Sequence, residues 1–402
     1  MKKRPMFIIT AIVVLCMIIA SAFFSMGNSE KNETKSKVKV GFVYVGDNAT
    51  PYTNNFIRAE HELTSEYGDE VEIDTMANVS EADGKTAIQK LVDDGCDIIF
   101  TTSYGYGEAA KEIASENPDV QICQATCSNA NEDPVLSNYH TFMGEIYEGR
   151  YVSGVIAGEK MKELIDDGTL SEKDVVIGYV GAFPYAEVIS GYTAFFLGVR
   201  SVVPEATMKV KYTNTWSDYA IEKRMAAELI DEGCVLISQH SDTIGPAVAC
   251  EEARAEGKTV YHVGYNQSMT SVAPTTSLVS SRINWKPYIT GAVKAVMNNE
   301  RIEDVVKGNV NGNDIGAGFD RDWVQIVEIN EALVSKETEE KVNTIIDEFK
   351  SGDVAVFKGD YTGVDPFDDT DTIDLSKGYI ENEKASAPSF HYVLKDVIEV
   401  ED

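Results

Sequence analysis

The amino-acid sequence predicts an α/β protein of two similar lobes, each a doubly wound parallel sheet, with a cleft between them. Three observations point there. The segments KLVDDGCDIIFTTS (90–103) and ELIDEGCVLISQHS (228–241) are near copies: the end of a helix, an acidic pair, a Gly stop, then a short apolar strand ending in polar residues. Strand-like β-branched runs alternate with helical patterns, which argues βαβ units and a parallel sheet. After a long helical stretch at 145–167 the alternation begins again. Ligands of open α/β sheets bind outside the carboxyl ends of the strands, so function is to be sought just past them.

In order, VKVGFVYVG (38–46) is a buried strand, 53–67 a helix, EVEIDTMANV (70–79) a strand and 81–94 a helix stopped by Gly95. CDIIFTTS (96–103) is the third strand, 108–116 a helix and VQICQATC (120–127) the fourth strand. The long helix 145–167 bridges to the second half. There VVIGYVGAF (175–183), MKVKYTNTW (208–216), CVLISQHS (234–241), TVYHVGYN (259–266) and LVSSRI (278–283) are strands, and 187–202, 217–231 and 245–255 are the helices between them. A helix at 287–298 crosses back to the first lobe. The remainder mixes a strand at 323–329, a helix at 336–349 and an Asp-rich segment near 360–374. The domain division expected is 38–160 with about 286–322 as lobe 1, and 161–285 with about 323–402 as lobe 2.

The 402 residues carry a formal net charge of −31. That field repels phosphate backbones and anionic lipid surfaces, so nucleic acid is not an expected partner and a neutral or cationic small molecule fits better. Lys2, Lys3 and Arg4 precede a continuous apolar run over 6–26, the pattern of an export signal, with Ala20-Ser21-Ala22 as a small-residue cleavage site. The run is also near the length that spans a bilayer, so residues 1–27 form either a signal peptide or an uncleaved anchor, with 28–37 as a polar tether. Either way the functional part lies outside the cytoplasm. Cys96 and Cys234 occupy matched positions of the two copies and are expected to be small core residues. Cys123 and Cys127 share one face of a strand, too far apart to pair unless the strand bends, and free thiols are expected.

The candidate site residues are those past the strands. The first lobe offers Asp47, Asn48 and Tyr52, then Tyr104 and Tyr106. The second offers Phe183, Trp216, Asp218, Gln239, His240, Asp242, Tyr265, Asn266, Asn284 and Trp285. Aromatic platforms alternate with neutral hydrogen-bonding groups, a composition suited to sandwiching a flat ligand; stacking on a base contributes ~1–3 kcal/mol. The turn Tyr104-Gly105-Tyr106-Gly107 has a G-x-G shape but follows the third strand, where a dinucleotide fingerprint does not belong. No G-x-S-x-G elbow or H-E-x-x-H helix occurs, so no catalytic residue, cofactor or metal site is expected. The acidic run 365–374 lacks the ligand spacing and terminal Glu of a calcium loop and reads as solvated surface.

Taken together, FTTSYGYGEAAKEIASENPDV, GEIYEGRYVSGVIAGEKM, IGYVGAFPYAEVISGYTAFFLGVRSVVPEA, TNTWSD, LISQHSDT, VYHVGYN and NWKPYITGAVKAV resemble the basic membrane protein family of ABC-transporter substrate-binding proteins, over nearly all of the chain from Lys37. The resemblance implies a type I periplasmic-binding-protein bilobe. It also implies capture of a purine nucleoside or nucleobase, and delivery to a membrane permease powered by a cytoplasmic ATPase. On it, Tyr52 matches a first-lobe aromatic near the ligand, and Phe183 and Trp216 match second-lobe aromatics. Asn266 and Asn284 stand where nucleoside-binding relatives carry an Asp that grips ribose and a Lys, which favours a free base. The loop GDNATPYTNN has Thr50 and Pro51 before Tyr52 where relatives have a further aromatic. Cys16 follows Leu15 in mid-run, so the lipid anchor of many relatives is not expected. The chain is expected to act as a monomer. Two other readings stay open: a sensor module serving a membrane signalling protein, and a nucleoside or glycoside hydrolase using Asp47, Asp218 and Asp242.

Overall fold

The computed structural model describes residues 37–401. The export signal or anchor, the tether up to residue 36 and Cys16 lie outside the described residues. In the first lobe the strands are β1 (Val38–Val43), β2 (Val71–Met76), β3 (Ile98–Thr101), β4 (Gln121–Ala125) and β5 (Tyr139–Gly144). They are joined by α1 (Pro51–Tyr67), α2 (Gly84–Asp93) and α3 (Gly107–Glu116). Helix α4 (Ile146–Asp166) leads into the second lobe, with β6 (Val176–Gly181), α5 (Ala186–Arg200), β7 (Thr207–Tyr212), α6 (Tyr219–Asp231), β8 (Leu236–His240), α7 (Gly245–Ala255), β9 (Tyr261–Tyr265) and β10 (Ser277–Ile283). The chain continues through α8 (Lys286–Asn298), α9 (Ile302–Val305), β11 (Asn309–Asn311), β12 (Asp314–Ala317), β13 (Val324–Val327) and α10 (Lys336–Ser351). It ends with β14 (Thr362–Asp365), β15 (Asp368–Asp374), β16 (Val393–Leu394) and β17 (Ile398–Glu401).

The two large sheets have seven strands each, ordered β11-β12-β5-β4-β3-β1-β2 and β13-β10-β9-β8-β6-β7-β17. Their five-strand cores share one order, 2-1-3-4-5, and are parallel throughout. This is the type I periplasmic-binding-protein bilobe. In such an order the winding reverses between the first and third strands, which opens a crevice at their carboxyl ends. Here those points fall after β1 and β3 in lobe 1, and after β6 and β8 in lobe 2.

The duplicated unit is the same in backbone as well as sequence. Gly95 and Gly233 have φ of 85° and 95°, a left-handed stop that side chains resist. Cys96 N–H donates to Leu91 O at 3.1 Å, and Cys234 N–H to Leu229 O at 3.0 Å. Both cysteines are buried free thiols, each against its own lobe's helix–sheet core.

Several elements escape sequence periodicity. Strand β5 is buried over its length, yet His140 and Thr141 mask its apolar pattern. Their polar groups are met by long-range partners, His140 by Glu303 and Gln121, and Thr141 by Asp314 on β12. Helix α4, expected to bridge the lobes, packs against α5, β10 and β13 of the second lobe, so the crossover itself is the short turn before Ile146. At the α4–α5 crossing, Gly154 and Gly198 bring the two backbones together; a Cβ on either would lie 2.1 or 2.2 Å from a carbonyl oxygen. Helix α8 returns to lobe 1, where Tyr288 stacks on Phe142 with ring centroids 3.7 Å apart.

Candidate functional site

The strand tips of both lobes meet around a narrow cavity lined by Val45, Tyr52, Thr102, Ser103, Tyr104 and Thr126 from lobe 1 and by Glu187, Trp216, His240, Asp242 and Tyr265 from lobe 2. Val45 follows β1, and Thr102 to Tyr104 follow β3. His240 and Asp242 sit at the tip of β8. The cavity therefore occupies both reversal points.

The lobe 1 wall is set by backbone and hydroxyl contacts. Pro51 starts α1, where its missing N–H costs nothing, and the next residue, Tyr52, donates its hydroxyl to Thr102 O. Thr102 Oγ1 donates to Val43 O at 3.0 Å. Glu81 accepts from Ser103 Oγ at 2.6 Å and from Gly105 N–H at 3.0 Å, which fixes the turn carrying Tyr104.

The lobe 2 wall is aromatic above and ionisable below. Phe183 stacks on Tyr185 at 5.1 Å and meets Trp216 edge-on at 5.2 Å, so Phe183 holds the indole that lines the cavity. Tyr185 reaches the other lobe, 5.8 Å from Tyr104. Asp242 N–H donates to Trp216 O at 2.8 Å, tying the two loops together. Glu222 accepts from Ser241 Oγ, Thr243 N–H and Thr243 Oγ1, which clamps the loop from behind. His240 Nε2 lies 3.3 Å from Glu187 Oε1. The Arg150 guanidinium lies 3.6 Å over the Tyr265 ring and donates from Nη1 to Gln239 O at 3.0 Å.

Burial, with the Glu222 and Glu187 charges adding to it, holds the Asp242 carboxyl well above the usual carboxylate range. Burial and the Arg150 charge push the His240 imidazole down. Burial, with Glu187 and Asp242, raises the Tyr52 phenol. The floor therefore combines a carboxyl biased toward its protonated form, an imidazole biased toward its neutral form and Glu187, groups that can match both donors and acceptors on the edge of a ring.

The structure brings Tyr52, Tyr104, Trp216, His240, Asp242 and Tyr265 of the expected residues to the cavity wall. It gives the others different work. Tyr106 is buried in the lobe 1 core and donates its hydroxyl to Val79 O at 2.6 Å. Trp285 stacks on Phe56 at 4.3 Å, also within the core. Asp218 caps α6 by accepting from Ile221 N–H. Gln239 spends its amide on Ser241 O and Thr243 O. Asp47 accepts from Ala49 N–H and Asn78 Nδ2 in a surface turn, with Asn48 exposed beside it. Asn284 donates to Asp322 near the crossover. Asn266, in a left-handed conformation at φ 69°, accepts from Asn55 Nδ2 of lobe 1 at 3.1 Å and so links the lobes. Of the three acids a hydrolase would need, only Asp242 faces the cavity.

Sequence reasoning passed over Glu187, Thr126, Thr102, Ser103 and Arg150. The polar end of the first repeat copy, Thr-Thr-Ser, was a usable signal for two of them. Glu187 lies in the first turn of α5, where an acid is explained by the helix dipole alone. Arg150 is inside a helix and gave none.

Two lobes of this topology with a cleft between their strand tips make a ligand-binding bilobe. The model of the PnrA-like ABC transporter substrate-binding proteins matches residues 37–353. The chain is 34% identical over 284 residues to a purine-binding protein of Brucella abortus, covering 70% of this chain and 75% of that one. It is 30% identical over 262 residues to a protein of Haloferax volcanii named as an ABC transporter glucose-binding protein, covering 65% of this chain and 61% of that one. A crystal structure of solute-binding proteins of an ABC transporter system from Aeropyrum pernix superposes with a TM-score of 0.65 at 14% identity, over 78% of this chain and 92% of that one. The chain belongs to the PnrA-like family of ABC transporter substrate-binding proteins. It is a binding protein of an extracytoplasmic solute-binding family, not an enzyme; such proteins hand small-molecule ligands to a permease and its ATPase. No helix among the described residues is long and apolar enough to cross a membrane.

Proposed function

We propose that the protein captures a free purine base in the cavity between Tyr52, Trp216, His240, Asp242 and Tyr265, and delivers it to its permease while held at the membrane by its N-terminal segment as a monomer. The observation that carries this reading is the pairing of an aromatic wall with a floor of buried Asp242 and His240 and half-buried Glu187. A purine offers two π-faces and an edge of N–H donors and ring-nitrogen acceptors. The rings take the faces and the floor takes the edge. Asn266, which the family resemblance aligns with a ribose-gripping Asp, spends its carbonyl oxygen on Asn55, and Asn284, near a family Lys position, bonds Asp322; the absence of both charged groups supports a base over a nucleoside. The similarity to the Brucella purine-binding protein supports the purine class.

A sugar is the second reading, since the Haloferax relative is named for glucose and carboxylates also grip hydroxyls. The test is mass spectrometry of the small molecule released on denaturing the purified protein. A purine base is expected. A nucleoside would contradict the base assignment, and a hexose would contradict the class.

A further inference from the structure

The family match ends at residue 353, and the segment after it builds a small sheet of its own, ordered β15-β14-β16. The segment that joins β15 to β16 touches both lobes. Ser386 Oγ donates to Asp314 of lobe 1 at 2.6 Å, and Glu381 accepts from Ser190 of lobe 2 at 2.6 Å. The sheet borders an outer hollow, open to solvent, that it shares with Tyr104, Tyr185 and Glu187 at the mouth of the cleft.

Strand pairing gathers three side chains at one end of this sheet. Asp365 ends β14, Asp371 lies on β15 and His391 precedes β16; one ligand atom from each lies within 4.8 Å of the others. His391 Nε2 is 3.6 Å from Asp365 Oδ2 and 3.7 Å from Asp371 Oδ2. These separations are too long for hydrogen bonds. They are close to the roughly 3.3 Å between neighbouring ligands around a tetrahedral ion with bonds of about 2.0–2.1 Å.

The far atom of each residue is already occupied. Asp365 Oδ1 accepts from Phe367 N–H at 2.7 Å, Asp371 Oδ1 accepts from Tyr392 O–H at 3.2 Å, and His391 Nδ1 lies 2.8 Å from Ser389 O. A carbonyl can only accept, so Nδ1 carries a proton and donates it there, which leaves Nε2 pointing toward two carboxylate oxygens. Outer partners that fix the tautomer and aim the ligand atoms are the usual companions of a metal site.

We propose that Asp365, Asp371 and His391 bind a divalent transition-metal ion, Zn²⁺ foremost, with water completing its shell. The imidazole disfavours Ca²⁺ and Mg²⁺ against Zn²⁺. The ion ties all three strands of a small sheet that stands over the cleft mouth. The site is independent of which solute fills the inner cavity. The alternative occupant is a proton on His391, which would make a simple ion pair with the two acids.

The experiment is calorimetric titration of the purified protein, after dialysis against EDTA and then metal-free buffer, with Zn²⁺ and separately with Ca²⁺. One equivalent of Zn²⁺ is expected, bound more tightly than Ca²⁺ and weakened about tenfold or more in both His391→Ala and Asp371→Asn. Circular dichroism establishes that each variant is folded. The proposal is overturned if the wild type takes up no Zn²⁺ in saturable fashion, if Ca²⁺ binds more tightly, or if both folded variants retain wild-type affinity.

Discussion

The two copies of the repeated unit share their backbone and part company at their tips. After β3 the chain runs Thr102-Ser103-Tyr104; the two hydroxyls before the ring are spent within lobe 1, and Tyr104 stands exposed toward the cleft. After β8 it runs Ser241-Asp242-Thr243, a loop clamped by Glu222 so that Asp242 faces the cavity. Duplication thus supplies a scaffold twice, and divergence at the tips makes one lobe a lid and the other a reader of the solute's edge.

The largest effect is expected from the reader side. Trp216→Ala should weaken binding of the purine base by ~1–3 kcal/mol, measured by calorimetry. Tyr104→Ala, a ring on the lid side, should cost under ~1 kcal/mol, because Tyr104 is 56% exposed. Equal losses would break the division between lobes.

A comparable effect should follow pH. The carboxyl of Asp242 is raised in the folded protein, so the folded state holds a proton that the unfolded chain releases. Stability of the ligand-free protein should therefore fall as pH rises from the ordinary carboxylate range toward the raised value. Asp242→Asn should reduce this fall and raise the melting temperature near neutral pH. Glu148, pushed up to about 8 by burial, acts in the same direction and remains in both proteins, so the difference between their profiles isolates Asp242. A parallel shift of the profile would contradict the burial of a proton at that site.

Smaller changes sharpen the comparison. Asn55→Ala removes the bond to Asn266 that crosses the lobes and should lower solute affinity by about 1 kcal/mol. Tyr106→Phe removes a hydroxyl donated inside the lobe 1 core. It should cost about 1 kcal/mol of stability in denaturant titration with no change in solute binding. A binding loss there would return Tyr106 to the site.

The fold was legible in the sequence because parallel strands buried on both faces are nearly continuous apolar runs, and the Gly95 and Gly233 stops mark where helices end. Strand β5 was hidden since its buried polar residues find partners far away in the chain, on α9 and β12. Position just past a strand located the cavity, but not which side chains turn inward. Tyr104 and Tyr106 are two residues apart, and a short helical turn sends one to the cleft and the other to the core. Asp218 and Asp242 both follow strands; one caps a helix and only the other remains facing the cavity. Contacts of this kind, such as Asn55 with Asn266 and Asp365 with His391, join residues that no local pattern connects.

The most direct test of the central claim is calorimetric titration of ligand-free protein with adenine, hypoxanthine and guanine, each beside its nucleoside. The account predicts that one base binds at least about tenfold more tightly than its nucleoside, a difference of about 1.4 kcal/mol. A nucleoside bound tenfold more tightly than every base would contradict it.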